Sequence, residues 1–219
     1  MSVRTVPAWW QVCRMPTAIL AGGTFPTHPV PLDALHAAGR IVACDGAAAG
    51  LVAAGLEPAA IAGDLDSLPG DLQRRFADRL HRDPGQDDND LAKAFRFCRR
   101  CGWDRIAILG ATGRREDHTL GNLGWLPAFA AEAEVALLTD AGVFCAVTGA
   151  AVCASFAGQP VSVFTFDGRT ALRGRGLRYQ LDGLRPSRWW EATLNEALGD
   201  SFEVAADGGP TLVFQAYPA

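Results

Sequence analysis

The sequence GDLDS at residues 63–67 follows the short apolar run AAIA at residues 59–62. An apolar run that ends in turn residues is typical of a buried strand leading into a loop. In an extended segment, residues two apart point the same way, so Asp64 and Asp66 are predicted to share one face. Adjacent carboxylates repel unless a cation lies between them, and Mg²⁺ is commonly held by one or two carboxylates and substrate phosphates. The alternative is an acidic turn in which Asp66 or Ser67 caps a following helix.

Strands and helices are predicted to alternate on both sides of this loop. Apolar runs at residues 17–21, 41–44 and 105–109 each end in glycine or aspartate, and helical segments separate them. This alternation predicts a doubly wound, mostly parallel α/β sheet. Ligands bind such sheets outside the carboxyl ends of the strands, which is where Asp45, Asp64 and Asp66 fall.

The pattern changes near residue 140. Short alternating runs separated by Gly, Pro and Asp turns follow, at residues 143–147, 161–166, 177–181, 202–205 and 212–215. They predict a C-terminal all-β sandwich or barrel-like domain. The predicted organisation is an N-terminal extension (1–15), an α/β domain (16–140) and a β-sandwich or barrel-like domain (141–219).

Composition excludes several classes of partner. The 219 residues are 49% hydrophobic and 20% charged, with a formal charge of −4, so no basic footprint for nucleic acid or an anionic membrane is present. No apolar run reaches the roughly 18 residues that a membrane span needs. Six cysteines are scattered through apolar segments, which favours a reducing, cytoplasmic setting.

Two further motifs supply polar groups to the same sheet edge. The motif QDDNDL at residues 86–91 adds Asp87, Asp88 and Asp90 to Asp64 and Asp66. The two acidic motifs therefore contain five aspartates. A divalent cation with a bound polyphosphate would offset their repulsion, and the alternative is a solvated acidic rim. GATGRREDH at residues 110–118 offers backbone N–H groups, guanidinium groups and a helix start, which together indicate a phosphate cradle distinct from a Walker A loop.

Five motifs together resemble one family. LAGGTFP (20–26), CDGA (44–47), GDLDS (63–67), QDDNDL (86–91) and GATGRREDHTLGNL (110–123) occur in the order and approximate spacing of thiamine pyrophosphokinases. The resemblance implies transfer of a pyrophosphoryl group from ATP to the thiamine hydroxyl, giving thiamine diphosphate and AMP, with Mg²⁺ as cofactor. It also implies that residues 16–140 form an α/β nucleotide-binding catalytic domain and residues 141–219 a β-sandwich thiamine-binding domain, in a homodimer that binds thiamine between subunits.

The resemblance assigns residues to each role. Mg²⁺ ligands would be Asp64, Asp66 and Asp90, and these three with Asp117 and His118 would be the catalytic residues. Nucleotide-binding residues would be Asp45, Gly46, Thr112, Gly113, Arg114 and Arg115. Substrate-binding residues would be Gln86, Asp87, Trp189, Trp190 and Asn195.

The chain departs from the family pattern at two places. Arg114 stands where the family often has glycine, and Leu194 stands where a serine usually precedes the asparagine matched by Asn195. Trp189 and Trp190 could stack on a cationic thiazolium, or could instead pack in the core or a dimer interface. Two alternatives therefore stay open: a pyrophosphokinase for another hydroxyalkyl heterocycle, such as a hydroxymethylpterin, and a non-catalytic nucleotide- or thiamine-binding regulator.

Overall fold

The computed structural model describes residues 4–218, which divide into two compact units. Residues 13–140 form the α/β unit, and residues 4–12 with 141–218 form the β unit. In chain order the helices and strands are β1 (Arg4–Val6), α1 (Trp9–Val12), β2 (Thr17–Leu20), α2 (Pro29–Ala37), β3 (Arg40–Cys44), α3 (Ala47–Ala53), β4 (Ala60–Gly63), α4 (Gly70–Arg75), β5 (Leu80–Arg82), α5 (Asp90–Arg100), β6 (Arg105–Leu109), α6 (Glu116–Glu132), β7 (Glu134–Leu138), β8 (Gly142–Ala154), β9 (Pro160–Thr165), β10 (Ala171–Arg175), β11 (Ala192–Glu196) and β12 (Ser201–Ala216). Within residues 4–218, no helix has both the length and the apolar character that crossing a membrane would require.

The α/β unit is built on a parallel sheet with strand order β7-β6-β2-β3-β4-β5. All four residues of β2 and of β4 are buried, as expected where helices cover both faces of a sheet. The chain moves outward from β2 to β5 and returns on the other side of β2 as β6. The topological switch point therefore lies between β2 and β6, where open α/β sheets bind ligands. The predicted mixed α/β fold class is confirmed.

The β unit is organised around two long antiparallel strands, β8 and β12. β12 also pairs with β9 and β10, and β9 pairs with β11. The separate runs predicted at residues 202–205 and 212–215 belong to one strand, β12, whose register shifts between Ala206 and Thr211. The strand-rich C-terminal domain is thus confirmed, and its two longest strands, β8 and β12, are longer than the sequence predicts.

One predicted strand is wrong. Residues 177–181 lie outside the strands, and Leu177 makes an isolated bridge to Ala197, while β10 occupies residues 171–175. Gly176 ends β10 because its φ of +73° turns the chain, and a Cβ there would lie 2.8 Å from the Ser201 carbonyl oxygen. That close approach needs glycine.

The structure places residues 4–12, predicted as an extension, in the β unit. β1 pairs in parallel with β8, with Val6 opposite Cys153, and Val6 is buried. A three-residue strand carries too short an alternation to be recognised from sequence.

Candidate active site

A cavity of about 670 Å³ lies at the carboxyl ends of β2, β3, β4 and β6, within the size range of small-ligand sites. Nine of the predicted site residues line it: Asp45, Gly46, Asp64, Gln86, Asp90, Thr112, Arg114, Arg115 and His118. Asp66, Asp87 and Gly113 belong to loops beside the cavity and Asp117 to the first turn of α6, and none of these four is among its lining residues. Trp189, Trp190 and Asn195 lie in the β unit.

The loops after β2 and β6 join along their backbones and form one wall of the cavity. The Gly23 N–H donates to the Gly110 carbonyl at 2.6 Å, and the Thr24 N–H donates to the Thr112 carbonyl at 2.8 Å. The Thr24 hydroxyl donates to the Gly113 carbonyl at 2.7 Å. A Cβ on Gly23 would lie 2.4 Å from the Gly110 oxygen, so this approach requires glycine. The close approach of these two loops therefore explains both Gly23 and the GATG motif at residues 110–113.

Three carboxylates converge beside this wall. One oxygen each from Asp45, Asp64 and Asp66 lies within 4.8 Å of the others. For Asp64 and Asp66, the sequence predicts an extended strand in which residues two apart share a face. This prediction is wrong, because β4 ends at Gly63. Leu65 instead adopts a left-handed φ of +66°, and the Asp66 N–H donates to Asp64 Oδ1 at 3.3 Å. A tight turn, not strand alternation, brings the two carboxylates together.

Asp45 is the buried member of the cluster, with 3% of its surface exposed. Its Oδ2 accepts a hydrogen bond from the Ser67 N–H at 3.1 Å, whereas its buried Oδ1 has no hydrogen-bond partner among residues 4–218. Burial raises the pKa of Asp45 to about 6; the Ser67 N–H opposes this shift, and the neighbouring charges of Asp90 and Asp64 add to it. A buried acceptor without a partner is costly. Three convergent carboxylates with one unpaired buried oxygen fit a hard divalent cation.

Asp64 is held in its ionised form. The Asp66 backbone N–H is the main group that lowers the pKa of Asp64; partial burial opposes it, and the Gln86 amide and the charge of Lys93 also lower it. The Gln86 side chain lies at hydrogen-bond distance, 3.4 Å from Asp64 Oδ2. The predicted site residue Gln86 thus contacts a predicted metal ligand directly.

Gly63 allows Asp45 and Asp90 to approach the end of β4. A Cβ at Gly63 would lie 3.0 Å from Asp45 Cβ and 3.1 Å from Asp90 Oδ1. Its φ of +156° is also one that residues with a side chain rarely adopt. Any larger residue would push the two carboxylates away from the site.

Lys93 is a site residue that the sequence analysis did not identify. It lies on α5, lines the cavity and is 3% exposed. Its Nζ is 3.2 Å from Asp90 Oδ1 and 3.9 Å from Asp64 Oδ2. The available signal was its position one helical turn after Asp90, which places both residues on one face.

Two further acids of the region have a structural partner. Arg96 on α5 forms ion pairs with Asp88 and, at 3.0 Å, with Asp83. Asp87, a predicted substrate-binding residue, is exposed between them. The acidic loop is therefore anchored to α5 through Arg96. Asp88 lines the cavity as an arginine-paired carboxylate, and the acidic cluster is defined as Asp45, Asp64, Asp66 and Asp90.

Asn122 is a second residue that the sequence analysis missed. Its Nδ2 donates to the Ala111 carbonyl at 2.8 Å, and its Oδ1 accepts from Asn89 Nδ2 at 2.9 Å. Asn89 caps α5 by accepting from the Ala92 N–H at 3.0 Å. Because the side chain of Asn122 is buried, this amide pair links the acidic loop to the glycine and arginine loop.

The glycine and arginine loop presents charge at the start of α6. Arg115 pairs with Asp117 through its Nε (3.1 Å) and its Nη2 (2.6 Å), with both side chains largely exposed. Arg114 and His118 line the cavity. Since α6 begins at Glu116, these groups lie at a helix N-terminus, where anions are favoured.

The predicted substrate-binding residues of the β unit differ in their surroundings. Trp189 and Trp190 are about half exposed, and Trp189 stacks on Phe164 with ring centroids 5.7 Å apart. Asn195 is buried, and its amide bonds the Tyr179 N–H at 3.0 Å and the Tyr179 carbonyl at 2.7 Å. The structure therefore shows Asn195 bracing a neighbouring segment, while the indoles are open to solvent.

Comparison with known structures supports the fold. A thiamin pyrophosphokinase from Candida albicans aligns over 99% of this chain and 94% of its own, with a TM-score of 0.81 and 14% identity. One from Geobacillus thermodenitrificans aligns over 93% of this chain and 98% of its own, with a TM-score of 0.74 and 24% identity. A thiamin pyrophosphokinase family protein from Enterococcus faecalis aligns over 93% and 99%, with a TM-score of 0.76 and 20% identity. A search of curated proteins finds no match.

Two family models cover most of the sequence. The thiamin pyrophosphokinase catalytic domain matches residues 33–137, which include the acidic cluster, Lys93 and Asn122. The thiamin pyrophosphokinase substrate-binding domain matches residues 142–214, which include Trp189, Trp190 and Asn195. The chain belongs to the thiamin pyrophosphokinase family.

Proposed function

We propose that the chain transfers a pyrophosphoryl group from ATP to the hydroxyl of thiamine, giving thiamine diphosphate and AMP. The observation that carries this proposal is the convergence of Asp45, Asp64 and Asp66 oxygens within 4.8 Å, beside a cavity at the switch point of the sheet. Family membership supports thiamine as the acceptor.

Mg²⁺ is the proposed cofactor, and Asp64, Asp66 and Asp90 are its proposed ligands. Asp45 Oδ1, which has no hydrogen-bond partner within the described part of the chain, makes Asp45 a further candidate for the same ion. When bound, Mg²⁺ supplies positive charge to phosphate oxygens and helps to align them.

The remaining groups of the α/β unit bind and orient ATP. Thr112, Gly113, Arg114 and Arg115 are proposed to contact the phosphates, because backbone N–H groups, guanidinium groups and the start of α6 favour anions there. Asp45 and Gly46 complete the nucleotide wall. Asp117 orients Arg115 through their bidentate pair.

The transfer requires in-line attack and removal of one proton. The thiamine hydroxyl oxygen forms a bond to the β-phosphorus of ATP, and the bond from that phosphorus to the oxygen bridging the α-phosphate breaks. AMP leaves with that oxygen, and the hydroxyl proton passes to a carboxylate of the cluster or to His118. Positioning and charge stabilisation account for most of the catalysis in this reaction class.

The acceptor side of the site is proposed from the family resemblance. Residues 16–140 would bind the nucleotide and residues 141–219 thiamine, in a cytoplasmic homodimer with thiamine at the subunit interface. Trp189 and Trp190 expose indole faces that can stack on a thiazolium. Gln86 and Asp87 would complete the acceptor contacts from the α/β unit. Asn195 would act through the segment that it holds at Tyr179.

The deciding experiment measures AMP formation by the purified full chain with ATP and Mg²⁺. Thiamine, a hydroxymethylpterin and no acceptor are compared, and thiamine diphosphate is quantified in parallel. Thiamine-dependent AMP with equal thiamine diphosphate is the expected result. AMP only with the pterin would move the acceptor to another heterocycle, and no AMP with either acceptor would favour a binding protein.

A further inference from the structure

Lys93 is a buried lysine beside Asp64 and Asp90 of the acidic cluster, with 3% of its surface exposed. Lysine is almost never fully buried unless it is paired. Among the described residues its Nζ makes one hydrogen bond, to Asp90 Oδ1 at 3.2 Å. The 3.9 Å separation from Asp64 Oδ2 is an ion-pair distance and is too long for a hydrogen bond. The ammonium therefore retains N–H groups that can meet another anion in the cavity that it lines.

The four carboxylates of the cluster surround two positions that a positive charge can occupy. Asp45, Asp64 and Asp66 surround one position with oxygens that lie within 4.8 Å of one another. Asp64 and Asp90 flank the other position, and the Lys93 ammonium occupies it. Two-metal phosphoryl-transfer sites place their ions about 3.5–4 Å apart with shared carboxylates. Here Asp64 is the shared carboxylate, and the Lys93 ammonium occupies the position that a second metal ion would take.

We propose that Lys93 is the second cation of this site, so that the chain binds one divalent metal ion and the ammonium supplies the other positive charge to the transferring group. This inference rests on the proposed function, because it assumes a metal held by Asp64 and Asp66. It places Asp45, the further candidate named above, in the ligand set, and it assigns Asp90, proposed above as a ligand, to the Lys93 ammonium instead. A lysine ammonium is a compact point charge that binds phosphate oxygens well. Unlike a second metal ion, it is always present when ATP arrives.

A purely structural role for Lys93 predicts a different result. If the lysine only held Asp64 and Asp90 in place, its removal would loosen the ligands and weaken metal binding. If it is a cation beside the metal position, its removal lifts a repulsion between like charges and strengthens metal binding. The direction of the change in metal affinity therefore separates the two roles.

The test measures Mn²⁺ binding to the full chain without substrates, following free Mn²⁺ by electron paramagnetic resonance. The wild-type protein is expected to bind one Mn²⁺ per chain. Lys93→Met, which keeps most of the aliphatic stem, is expected to bind Mn²⁺ at least about tenfold more tightly and to lose turnover. Lys93→Arg keeps the charge and should bind Mn²⁺ within about threefold of wild type. Arg100→Met removes an exposed cation from the same helix, away from the cavity, and should change the affinity far less than Lys93→Met.

Two wild-type Mn²⁺ ions per chain, or unchanged or weaker binding in Lys93→Met, would overturn the inference. If Lys93→Met fails to fold by circular dichroism, Lys93→Gln replaces it, and the wild-type stoichiometry already tests the central claim. The Mn²⁺ titration needs no acceptor. A single Mn²⁺ with tighter binding in the variant would therefore support the role of Lys93 even if the AMP assay failed with thiamine.

Discussion

The side-chain amides of Asn89 and Asn122 are joined by a hydrogen bond of 2.9 Å. Through this bond the cap of α5, which follows the acidic loop, is connected to α6, which follows the glycine and arginine loop. The acidic loop and the glycine and arginine loop, on two sides of the cavity, are thus linked by one amide pair. Neither residue needs to touch a reacting atom for this pair to affect catalysis.

Replacing Asn122 by leucine is expected to lower stability and to impair catalysis. Leucine keeps the branched outline of the side chain but leaves the Ala111 carbonyl and Asn89 Nδ2 without their partner, at a cost of about 1–3 kcal/mol. We expect kcat/KM for ATP to fall by about 10- to 100-fold, since small displacements of positioned groups reduce rates by such factors. Denaturant unfolding and steady-state kinetics measure the two effects.

Asn89→Asp provides the matched variant for this prediction. It keeps an oxygen to cap the Ala92 N–H but can no longer donate to Asn122. In a double-mutant cycle the two substitutions should be non-additive by at least about 0.5 kcal/mol. Additive effects would show that the pair does not act as a unit.

Gly63→Ala is expected to disturb the acidic cluster more than its size suggests. The added Cβ would lie 3.0 Å from Asp45 Cβ and 3.1 Å from Asp90 Oδ1, so both carboxylates must move. We expect a loss of about 1–3 kcal/mol in unfolding free energy and weaker Mn²⁺ binding. Gly124→Ala is the control, because nothing lies within 4 Å of a Cβ there and alanine stabilises the interior of a helix. Equal Mn²⁺ affinities in Gly63→Ala and wild type would contradict this role for Gly63.

The parts of the site that sequence analysis predicts are those marked by unusual residue combinations. Clustered aspartates and a glycine and arginine loop are rare enough to indicate chemistry, and the structure brings Asp45, Asp64 and Asp66 together. Lys93 and Asn122 escape notice because a lysine or an asparagine in a helix is ordinary. Their importance comes from burial and from partners in other elements, which only tertiary structure reveals.

The fold prediction fails at two places where the local sequence pattern favours a different backbone conformation from the one observed. The alternating run at residues 177–181 has strand character, but the left-handed Gly176 ends β10 just before it. Leu65 carries no turn signal of its own, yet it adopts a left-handed φ. Tertiary contacts hold the turn on both sides of it, because Asp64 contacts Gln86 and Lys93 and the Ser67 N–H donates to Asp45. In both cases tertiary context outweighs local propensity.

Asp64→Asn and Asp66→Asn are expected to reduce turnover by at least ~100-fold while the fold is retained, if the metal supplies several kcal/mol of transition-state stabilisation. An amide keeps the shape of each side chain but removes the charge that attracts the cation. Asp78→Asn, an exposed substitution away from the cavity, serves as the control for general effects of charge removal. Turnover near the wild-type value in both cluster variants would rule out the metal assignment.

The pKa of Asp45 predicts how stability depends on pH in chelated, metal-free protein. Burial raises this pKa from 3.8 to about 6, so the folded protein binds the proton more tightly than the unfolded chain. Stability from this group is therefore present below about pH 4 and is lost as the pH rises through about 6. Asp45→Asn removes this titration and can keep its oxygen on the Ser67 N–H.

Denaturant unfolding across that pH window, with EDTA present, tests the Asp45 prediction. The unfolding free energy of Asp45→Asn relative to wild type should increase as the pH rises from about 4 to about 6. Shifts from other acids, such as Asp64, are largely shared by the two proteins and cancel in the difference. A difference that stays constant across the window would show that Asp45 titrates normally.

Leu194 links backbone strain to the acceptor side of the proposed site. It has a left-handed φ of +59° and is 86% exposed. The left-handed conformation lowers the stability of the fold, and the small buried part of the side chain offsets little of that loss. Strain of this kind persists where the surrounding structure or function requires it. Leu194→Asn, which tolerates a left-handed φ, is expected to raise unfolding free energy by about 0.5–1 kcal/mol and to raise the KM for thiamine while the KM for ATP stays unchanged. Thermal unfolding and kinetics with each substrate varied in turn measure these effects. A less stable Leu194→Asn protein would mean that the leucine contributes packing that outweighs its strain.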